Sequence, residues 1–287
     1  MDLRQLRYFL AVAEELHFGR AAERLGIAQP PLTLTIQKLE RELGCGLLIR
    51  GRQTRLTEAG AKLAEEARRV LDQADYAFEA ARRVARGESG ELRVGVPPSV
   101  MLTKLPAAIR LYRRRYPEVA FTLREMSTAA IEQALLDRNI DLGFLRESRG
   151  HASLRSDLFL TEPLVAVLPA AHPLAKQKTL RLQALRKEPF VFFPRRIGPA
   201  FHDVLLGEFG EAGFVPNIVQ EATQWQTVIS LVEAGMGVSI APACVEKLAW
   251  PGVVYRRLPG LGTRVYACQH PEGPAAAANF LMMARRS

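Results

Sequence analysis

Residues 58–86 constrain the fold most, because they form a long proline-free run rich in Ala, Glu, Arg and Leu. Apolar side chains recur there every three or four positions, which predicts one amphipathic helix. Thr57 is suited to cap its first turn, and the glycines of residues 87–90 end it. The predicted apolar stripe comprises Leu63, Ala67, Val70, Leu71, Ala74, Phe78, Ala81, Val84 and Ala85. This helix therefore divides the chain into a part before it and a part after it.

The small alanines of this stripe leave room for a second helix to approach closely. A long helix with an apolar stripe and no domain of its own most often pairs with its copy. We therefore expect residues 59–90 to form a linker and dimerisation helix with a hinge, and the chain to be at least a dimer.

Three shorter helices are predicted before the long one. They cover residues 3–15, residues 18–25 with an end at Gly26, and a stretch that ends near Leu43. A short helix, a glycine turn and a polar-faced helix within residues 18–37 fit a helix-turn-helix. On spacing alone, a generic helical hairpin fits equally well.

The third of these helices has one apolar and one polar side. Pro30 and Pro31 fit its first turn, where backbone amides have no partner inside the helix. The side predicted to be buried comprises Leu32, Ile36, Leu39 and Leu43. The opposite side presents Gln29, Thr33, Leu34, Thr35, Lys38 and Arg41. That polar side is sized for the major groove of DNA.

Two short β-like runs, at residues 47–50 and 55–57, enclose the loop of residues 51–54. They predict a small hairpin, or wing, whose candidate DNA-contacting residues are Arg50, Arg52, Gln53 and Arg55. Beside a helix-turn-helix we favour phosphate or minor-groove contact over a merely solvated basic loop. The net charge of +9 does not decide this, because residues 1–90 carry only +2 of it.

The stretch LRYFLAVAEELHFGRAAERLGIAQPPLTLTIQKLERELG, followed by RLTEAG, resembles the winged helix-turn-helix of LysR-type transcriptional regulators. The amino-acid sequence of this stretch is most similar to that of regulators of aromatic-compound degradation of the catechol and benzoate type. The resemblance implies a sequence-specific regulator that binds double-stranded promoter DNA as a dimer of dimers and contacts RNA polymerase.

Two positions depart from the family pattern. Thr33-Leu34-Thr35 stands where members commonly carry polar residues that include an arginine, and Leu48 stands where they often carry phenylalanine. Without an arginine there, base recognition is expected to differ from that of typical members. Leu34 is placed to touch a thymine methyl group.

From Glu91 the pattern changes to alternating strands and helices, which predicts an α/β domain in two halves. Strands are expected at 92–96, 119–125, 141–145, 164–168, 189–193, 216–220, 237–241 and 265–268. Helices are expected at 101–115, 129–139, 199–212, around 228–233 and at the end of the chain. The pattern resembles the two-lobed, periplasmic-binding-protein-like effector domain of the same family.

The predicted organisation is therefore multi-domain. An all-α winged helix-turn-helix with a long linker helix precedes the two-lobed α/β domain. The expected boundaries are 1–58 for the DNA-binding domain, with the helix-turn-helix at 18–37, then 59–90 for the linker, and 91–287 for the effector domain. Lobe I is assigned residues 91–161 and 266–287, and lobe II residues 168–265.

An α/β fold of this kind binds ligands at the carboxyl ends of its strands, where helices begin and favour anions. Four helix starts are expected there, at Ser99, Thr128, Gly198-Pro199 and Thr223. For the hydroxyl residues, helix capping is the alternative role, although the two roles are compatible. Arg146 and Phe201 are further candidates, each equally well explained by packing or surface charge. We expect a small anionic effector, a carboxylate or dicarboxylate from aromatic degradation.

Other classes of function lack sequence support. Gly235-Met236-Gly237 follows a helix and precedes a strand, the reverse of the order in a dinucleotide-binding fingerprint. Three scattered cysteines fit reduced thiols rather than a disulfide framework or a redox switch, and the five histidines show no metal-ligand spacing. No catalytic motif, cofactor motif, signal peptide or membrane span is recognisable. We therefore expect a cytoplasmic regulator without cofactor or metal, rather than an enzyme or a secreted solute-binding protein.

Overall fold

The computed structural model describes residues 1–51 and 53–286 of the chain. It divides into two compact units, Met1–Arg82 and Arg83–Ser287. In the first unit the helices are α1 (Leu3–Glu15), α2 (Phe18–Arg24), α3 (Gln29–Leu43) and α4 (Glu58–Ala85), the last of which continues into the second unit. Its strands are β1 (Leu48–Ile49) and β2 (Arg55–Leu56), which pair antiparallel as the predicted wing.

The core of the first unit is built from one side of each helix. Phe9 of α1 and Leu32, Ile36 and Leu39 of α3 are fully buried. Leu43, predicted to lie on the same buried side, is instead exposed. It is the last residue of α3, where Gly44 turns the chain with a φ of +70°, so no other element covers it.

The predicted apolar stripe of α4 is not available to a second helix along its whole length, because part of its first half packs within its own unit. Ala64, Ala67 and Leu71 are buried in the core of their own unit. Ion pairs from Arg68 to Glu14 (3.2 Å), and from Arg7 to Asp75 (3.3 Å), also hold α4 against α1. The large apolar side chains of the stripe that are exposed are Val70 in its first half and Phe78 and Val84 in its second half.

The first turn of α4 is capped by Thr57, as predicted. The amide of Gly60 donates to the Thr57 hydroxyl (2.9 Å), as expected of a capping threonine. That hydroxyl in turn donates to the carbonyl of Gly46 (2.8 Å), which joins the helix start to the loop before the wing.

The second unit alternates strands and helices, as predicted. Its helices are α5 (Leu105–Arg115), α6 (Thr128–Leu136), α7 (Pro199–Glu211), α8 (Trp225–Glu233) and α9 (Ala275–Arg286). Its strands are β3 (Ser89–Val96), β4 (Glu118–Glu125), β5 (Leu142–Arg146), β6 (Arg155–Pro169), β7 (Pro189–Phe192), β8 (Asn217–Glu221), β9 (Ser239–Pro242) and β10 (Val253–Gln269).

The helix expected over residues 101–115 is interrupted. A short 3-10 turn covers Pro98–Leu102, and α5 begins only at Leu105. Pro106 explains the break, because in a continuous helix its ring would clash with the carbonyl of Leu102 and its nitrogen has no hydrogen to donate.

The two halves of this unit share more structure than the sequence pattern predicts. The long strands β6 and β10 pair antiparallel and run through both halves, so that one sheet has the order β4-β3-β5-β10-β6-β9. Strands β7 and β8 form a separate parallel pair. One half packs a core around Phe144 and Phe280, and the other around Phe190 and Phe209.

Candidate DNA-binding and effector-binding sites

The exposed side of α3 carries most of the predicted base-contacting residues. Gln29, Pro30, Pro31 and Lys38 are exposed, and Leu34 has 63% of its surface open to solvent. A large apolar side chain that is this exposed contributes little to the packing of its own unit.

Unlike Leu34, the two threonines beside it make hydrogen bonds within α3. The Thr33 hydroxyl donates to the carbonyl of Gln29 (3.1 Å), and the Thr35 hydroxyl donates to that of Pro31 (2.8 Å). Both side chains are half-buried. Such bonds to the preceding turn are common for threonine within helices, and they occupy the one hydrogen that each hydroxyl can donate.

The wing residues also divide into two kinds. Arg50 pairs with Glu40 (3.0 Å) and lies over the Phe18 ring, with its guanidinium carbon 5.7 Å from the ring centre. Gln53 and Arg55 are exposed. Arg52, also predicted to contact DNA, lies outside the described residues.

Glu40 is a positioning residue that the sequence pattern did not suggest. One carboxylate oxygen accepts hydrogen bonds from the amides of Leu47 (2.9 Å) and Leu48 (3.2 Å), while the other pairs with Arg50. It therefore fixes the first strand of the wing to the last turns of α3. Glu40 lies seven or more residues before these partners, so no local sequence pattern indicates this role.

The second unit contains a cavity of about 210 Å³. All five predicted effector-binding residues line it, namely Ser99, Thr128, Arg146, Phe201 and Thr223. They come from the 3-10 turn after β3, the end of β5, the start of α6, the first turn of α7 and the segment before α8. The remaining lining residues are Pro97, Pro98, Glu125, Met126, Ser127, Phe193, Ile197, Gly198, Ala222, Gln224, Trp225 and Val228.

Two residues that are mostly buried line the cavity with hydroxyls that lack a protein partner. Ser99 and Thr128 are only 5% and 8% exposed. Neither hydroxyl has a hydrogen-bond partner among the described residues, and neither oxygen is one of the fully buried polar atoms without a partner, so both are open to the cavity. The cap of α6 is Ser127, whose oxygen accepts from the amide of Ala130 (3.2 Å). Capping, the alternative role considered for these hydroxyls, therefore explains neither of them.

Thr223 is also not a cap, because α8 begins at Trp225 with Gln224 in the capping position and no side-chain hydrogen bond there. Its side chain is exposed at the edge of the cavity. The starts of α6, α7 and α8 nevertheless all contribute residues to the cavity, so their first-turn amides lie near it.

Arg146 is buried, contrary to the surface role considered for it. It is 3% exposed, and its guanidinium carbon lies 5.7 Å from the centre of the Phe201 ring. One guanidinium nitrogen lies 2.5 Å from a Glu162 oxygen, and the Nε atom has no hydrogen-bond partner among the described residues. A buried cation with an incomplete set of partners thus forms part of the lining.

An aromatic wall, defined as Phe193, Phe201 and Trp225, forms another part of the lining. The Phe193 and Phe201 rings stack at 5.3 Å, and Phe193 meets Trp225 edge-on at 6.0 Å. The sequence analysis missed two of its members. Phe193 directly follows β7 and Trp225 begins α8. Ligands in this kind of fold bind where strands end and helices begin, which is the reason Thr128 was predicted, and the same reason applies to both aromatic residues.

The thiols nearest to this region are not poised for reaction. Burial raises the pKa of Cys244 to about 12, and burial also raises the pKa of Cys268. Among the described residues, no three His, Cys, Asp or Glu side chains form a group able to hold a metal ion. None of the described helices combines the length and the apolar character that a bilayer crossing needs.

Two family models match the chain. The model "Bacterial regulatory helix-turn-helix protein, lysR family" matches residues 3–61, and "LysR substrate binding domain" matches residues 85–287. Among curated relatives, the uncharacterized HTH-type transcriptional regulator YnfL of Escherichia coli is 40% identical and is covered over 95% of its length, with 96% of this chain. The HTH-type transcriptional regulator CatR of Pseudomonas putida is also 40% identical, over 86% of this chain and 84% of its own.

A solved structure extends the match to the whole chain. Full-length CbnR, crystallised with its target DNA, superposes with a TM-score of 0.78 at 32% identity, covering 100% of this chain and 99% of that one. These matches confirm the predicted family and the predicted fold class. The chain therefore belongs to the LysR family and is a DNA-binding transcriptional regulator with an effector-binding domain, not an enzyme.

Proposed function

We propose that the chain binds a promoter through α3 and the wing, and that a small carboxylate in the cavity of the second unit changes its effect on transcription. One observation supports this most strongly: the hydroxyls of Ser99 and Thr128 line the cavity and make no hydrogen bond to another described residue. Both can therefore donate to a ligand without breaking a hydrogen bond within the protein.

On the DNA side, α3 lies in the major groove with Gln29 and Leu34 toward the bases. Leu34 contacts a thymine methyl group, while Pro30, Pro31, Thr33, Thr35 and Lys38 fit around it. Arg55, Gln53 and Arg52 of the wing contact phosphates or the minor groove. Arg50 acts mainly through its ion pair with Glu40, which holds the wing in place.

Gel shifts at several salt concentrations test this division, with an operator selected from a random DNA pool. Arg55→Ala removes one phosphate contact, so it should weaken binding to all sequences and reduce the salt dependence by about one charge. Lys62→Ala, on the exposed surface of α4, is the matched control and should leave both unchanged. An unchanged salt dependence in Arg55→Ala would remove the wing from the interface.

The open part of the α4 stripe supports self-association. Val70, Phe78 and Val84 follow one side of the helix, and such a stripe pairs readily with a copy of itself. We propose a dimer through residues 59–90, a dimer of dimers as the DNA-bound form in the cytoplasm, and RNA polymerase as the partner at the promoter. The boundaries 1–58 and 91–287, and the two lobes, are the domains of this proposal.

On the effector side, a carboxylate would accept hydrogen bonds from Ser99, Thr128 and the first-turn amides of α6. The partial positive charge of a helix start favours an anion there, and the charge of Arg146 adds to it. Regulation then requires that the acid binds one arrangement of the two lobes better than another.

Calorimetry on the full chain tests the anion site with hexanoate and benzoate and with their neutral amides. The acids should bind at least tenfold more tightly, because hydrogen bonds to a charged group contribute about 1.5–3 kcal/mol each. Amides that bind as tightly as the acids would contradict this proposal.

A further inference from the structure

Positive charge is concentrated in two stretches of the second unit that contain no acidic residue. Together, residues 163–187 and 247–271 contain nine lysines and arginines and no aspartate or glutamate. The net charge of residues 91–287 is +7, so the remainder of that part has a net charge of −2. The positive charge of this part of the chain is therefore localised in the sequence.

The fold brings these two stretches together. Thr179 pairs with Arg257 of β10 through an isolated parallel bridge, and the amide of Leu180 donates to the Arg257 carbonyl (2.9 Å). The guanidinium of Arg256 donates to the carbonyl of Ala175 (2.9 Å). The cations at or next to these contacts form the basic patch, defined as Lys176, Lys178, Arg181, Arg256 and Arg257.

The charges of the basic patch are not neutralised by neighbouring carboxylates. Four of its members are exposed, and Arg256 is half-buried with hydrogen bonds to carbonyls. None of the five forms an ion pair with another described residue. Glu208 and Glu211 line a small surface pocket together with Arg181, but neither forms an ion pair with it. The patch therefore presents positive charge to the solvent without a partner among the described residues.

The composition of this surface indicates which kind of anion it fits. Among the described residues, none of the exposed large apolar side chains lies in either stretch. Protein–protein interfaces depend on apolar and aromatic side chains at their centre, which this surface lacks. Nucleic-acid backbones are instead bound by lysine and arginine through contacts to phosphates, and such contacts carry no sequence information.

We propose that the basic patch binds the phosphates of duplex DNA, so that the second unit adds a sequence-independent contact to operator binding. This surface is separate from α3 and the wing, and its contact does not depend on the cavity. Because both units belong to one chain, DNA held by the first unit is present at a high effective concentration for the second. The patch should therefore raise the affinity for every DNA sequence and make binding more sensitive to salt.

Two triple variants of the full chain carry the same change in net charge. The patch variant replaces three exposed members of the patch, with the substitutions Lys178→Gln, Arg181→Gln and Arg257→Gln. The control variant replaces three exposed cations that already have an ion-pair partner at 2.7 to 3.1 Å, with the substitutions Lys62→Gln, Arg138→Gln and Arg155→Gln. Arg256 stays unchanged, because its bonds to carbonyls help to hold the two stretches together. A difference in DNA binding between the two variants then arises from the location of the charges and not from their number.

Gel shifts at several salt concentrations would measure the affinity of both variants for a selected operator and for an unrelated duplex. The patch variant should bind both duplexes more weakly by the same factor. Its slope of log affinity against log salt should become shallower by about two to three, at about 0.9 for each lost phosphate contact, and that of the control variant by less than about one. Equal slopes in the two variants would overturn the inference. So would a patch variant that binds DNA like the control but recruits RNA polymerase less well, because the patch would then bind an acidic protein surface.

Phosphate-ethylation interference would locate the contact on the DNA. Ethylation should weaken binding of the wild-type chain at some phosphates that no longer matter for the patch variant. Arg55→Ala, in the wing, should lose sensitivity at a different set of phosphates. Loss of the same phosphates in both variants would show that the patch acts through the first unit, which would contradict a separate contact.

Discussion

Side-chain hydroxyl groups have different hydrogen-bonding states in the two units. In the first unit, the hydroxyls of Thr33 and Thr35 donate to carbonyls of their own helix. In the second, the hydroxyls of Ser99 and Thr128 line the cavity and make no hydrogen bond to another described residue. A hydroxyl that already donates within the protein must give up that bond to donate to a ligand, whereas a cavity hydroxyl without a protein partner need not. The first two hydroxyls therefore stabilise their helix, and the second two are available to a ligand.

The same contrast divides α4. Leu71 in its first half is buried in the core of its own unit, whereas Phe78 in its second half is 60% exposed. Both lie on one sequence stripe, but of these two side chains only Phe78 leaves apolar surface available to another chain.

The largest expected effect comes from a substitution in the buried part of α4, compared with one in its exposed part. Leu71→Glu places a carboxylate in a filled core, so it should destabilise the first unit by at least the roughly 2–5 kcal/mol of a core Leu→Ala change. Phe78→Glu should leave folding intact and dissociate the dimer. Thermal unfolding by circular dichroism and sedimentation velocity would measure the two effects.

Tyr76→Glu is the matched control for Phe78→Glu. Tyr76 is 69% exposed on the same helix but lies outside the stripe. This variant should therefore stay dimeric. A dimeric Phe78→Glu variant, or a dissociated Tyr76→Glu variant, would show that another surface pairs the chains.

A smaller effect tests the hydroxyls of α3. Leu34→Ala removes most of an exposed apolar side chain, so affinity for a selected operator should fall by about fivefold while nonspecific binding stays unchanged. Thr33→Ala with Thr35→Ala should change the specific affinity by less than about threefold, because those hydroxyls already donate within the helix. If the double variant loses more specificity than Leu34→Ala in gel shifts, the satisfied hydroxyls still contact bases.

The smallest effect concerns pH and an ion pair of α7. Arg195 donates to Asp203 at 2.7 and 2.8 Å and lowers the pKa of that carboxyl from 3.8 to about 2. The ionised form is thus favoured in the folded state, and its contribution to stability is lost as pH falls from about 4 to about 2. Asp203→Asn should be less stable than the wild type at pH 6, with the difference vanishing near pH 2 in urea unfolding. A difference that is constant across this range would exclude the ion pair as its cause.

The sequence predicted most elements of both units, because the periodicity of apolar residues and the glycine and proline breaks are local signals. It also selected five residues that line one cavity, since the ends of parallel strands meet there. It did not distinguish Ser127 from Thr128 as the cap of α6, because that role depends on the extended backbone at Ser127, with φ −69° and ψ 155°.

Other features depend on distant contacts and had no local signal. The burial of Leu71 requires the packing of α4 on α1, and the role of Glu40 requires the wing to return beside α3. Arg146 is buried because Phe201 and Glu162 come from other parts of the fold. Periodicity shows which side of a helix or strand is apolar, but not which other element covers that side.

The central claim is that the hydroxyls of Ser99 and Thr128 in the second unit bind a carboxylate, and Thr128→Val tests it most directly. We would measure hexanoate binding to the full chain by calorimetry, with Thr223→Val as control, since Thr223 lines the same cavity but is exposed. Thr128→Val should lose about 1.5–3 kcal/mol, or about 10- to 150-fold in affinity, and Thr223→Val less than about threefold. Hexanoate binding that is unchanged in Thr128→Val, or weakened equally in both variants, would contradict the account.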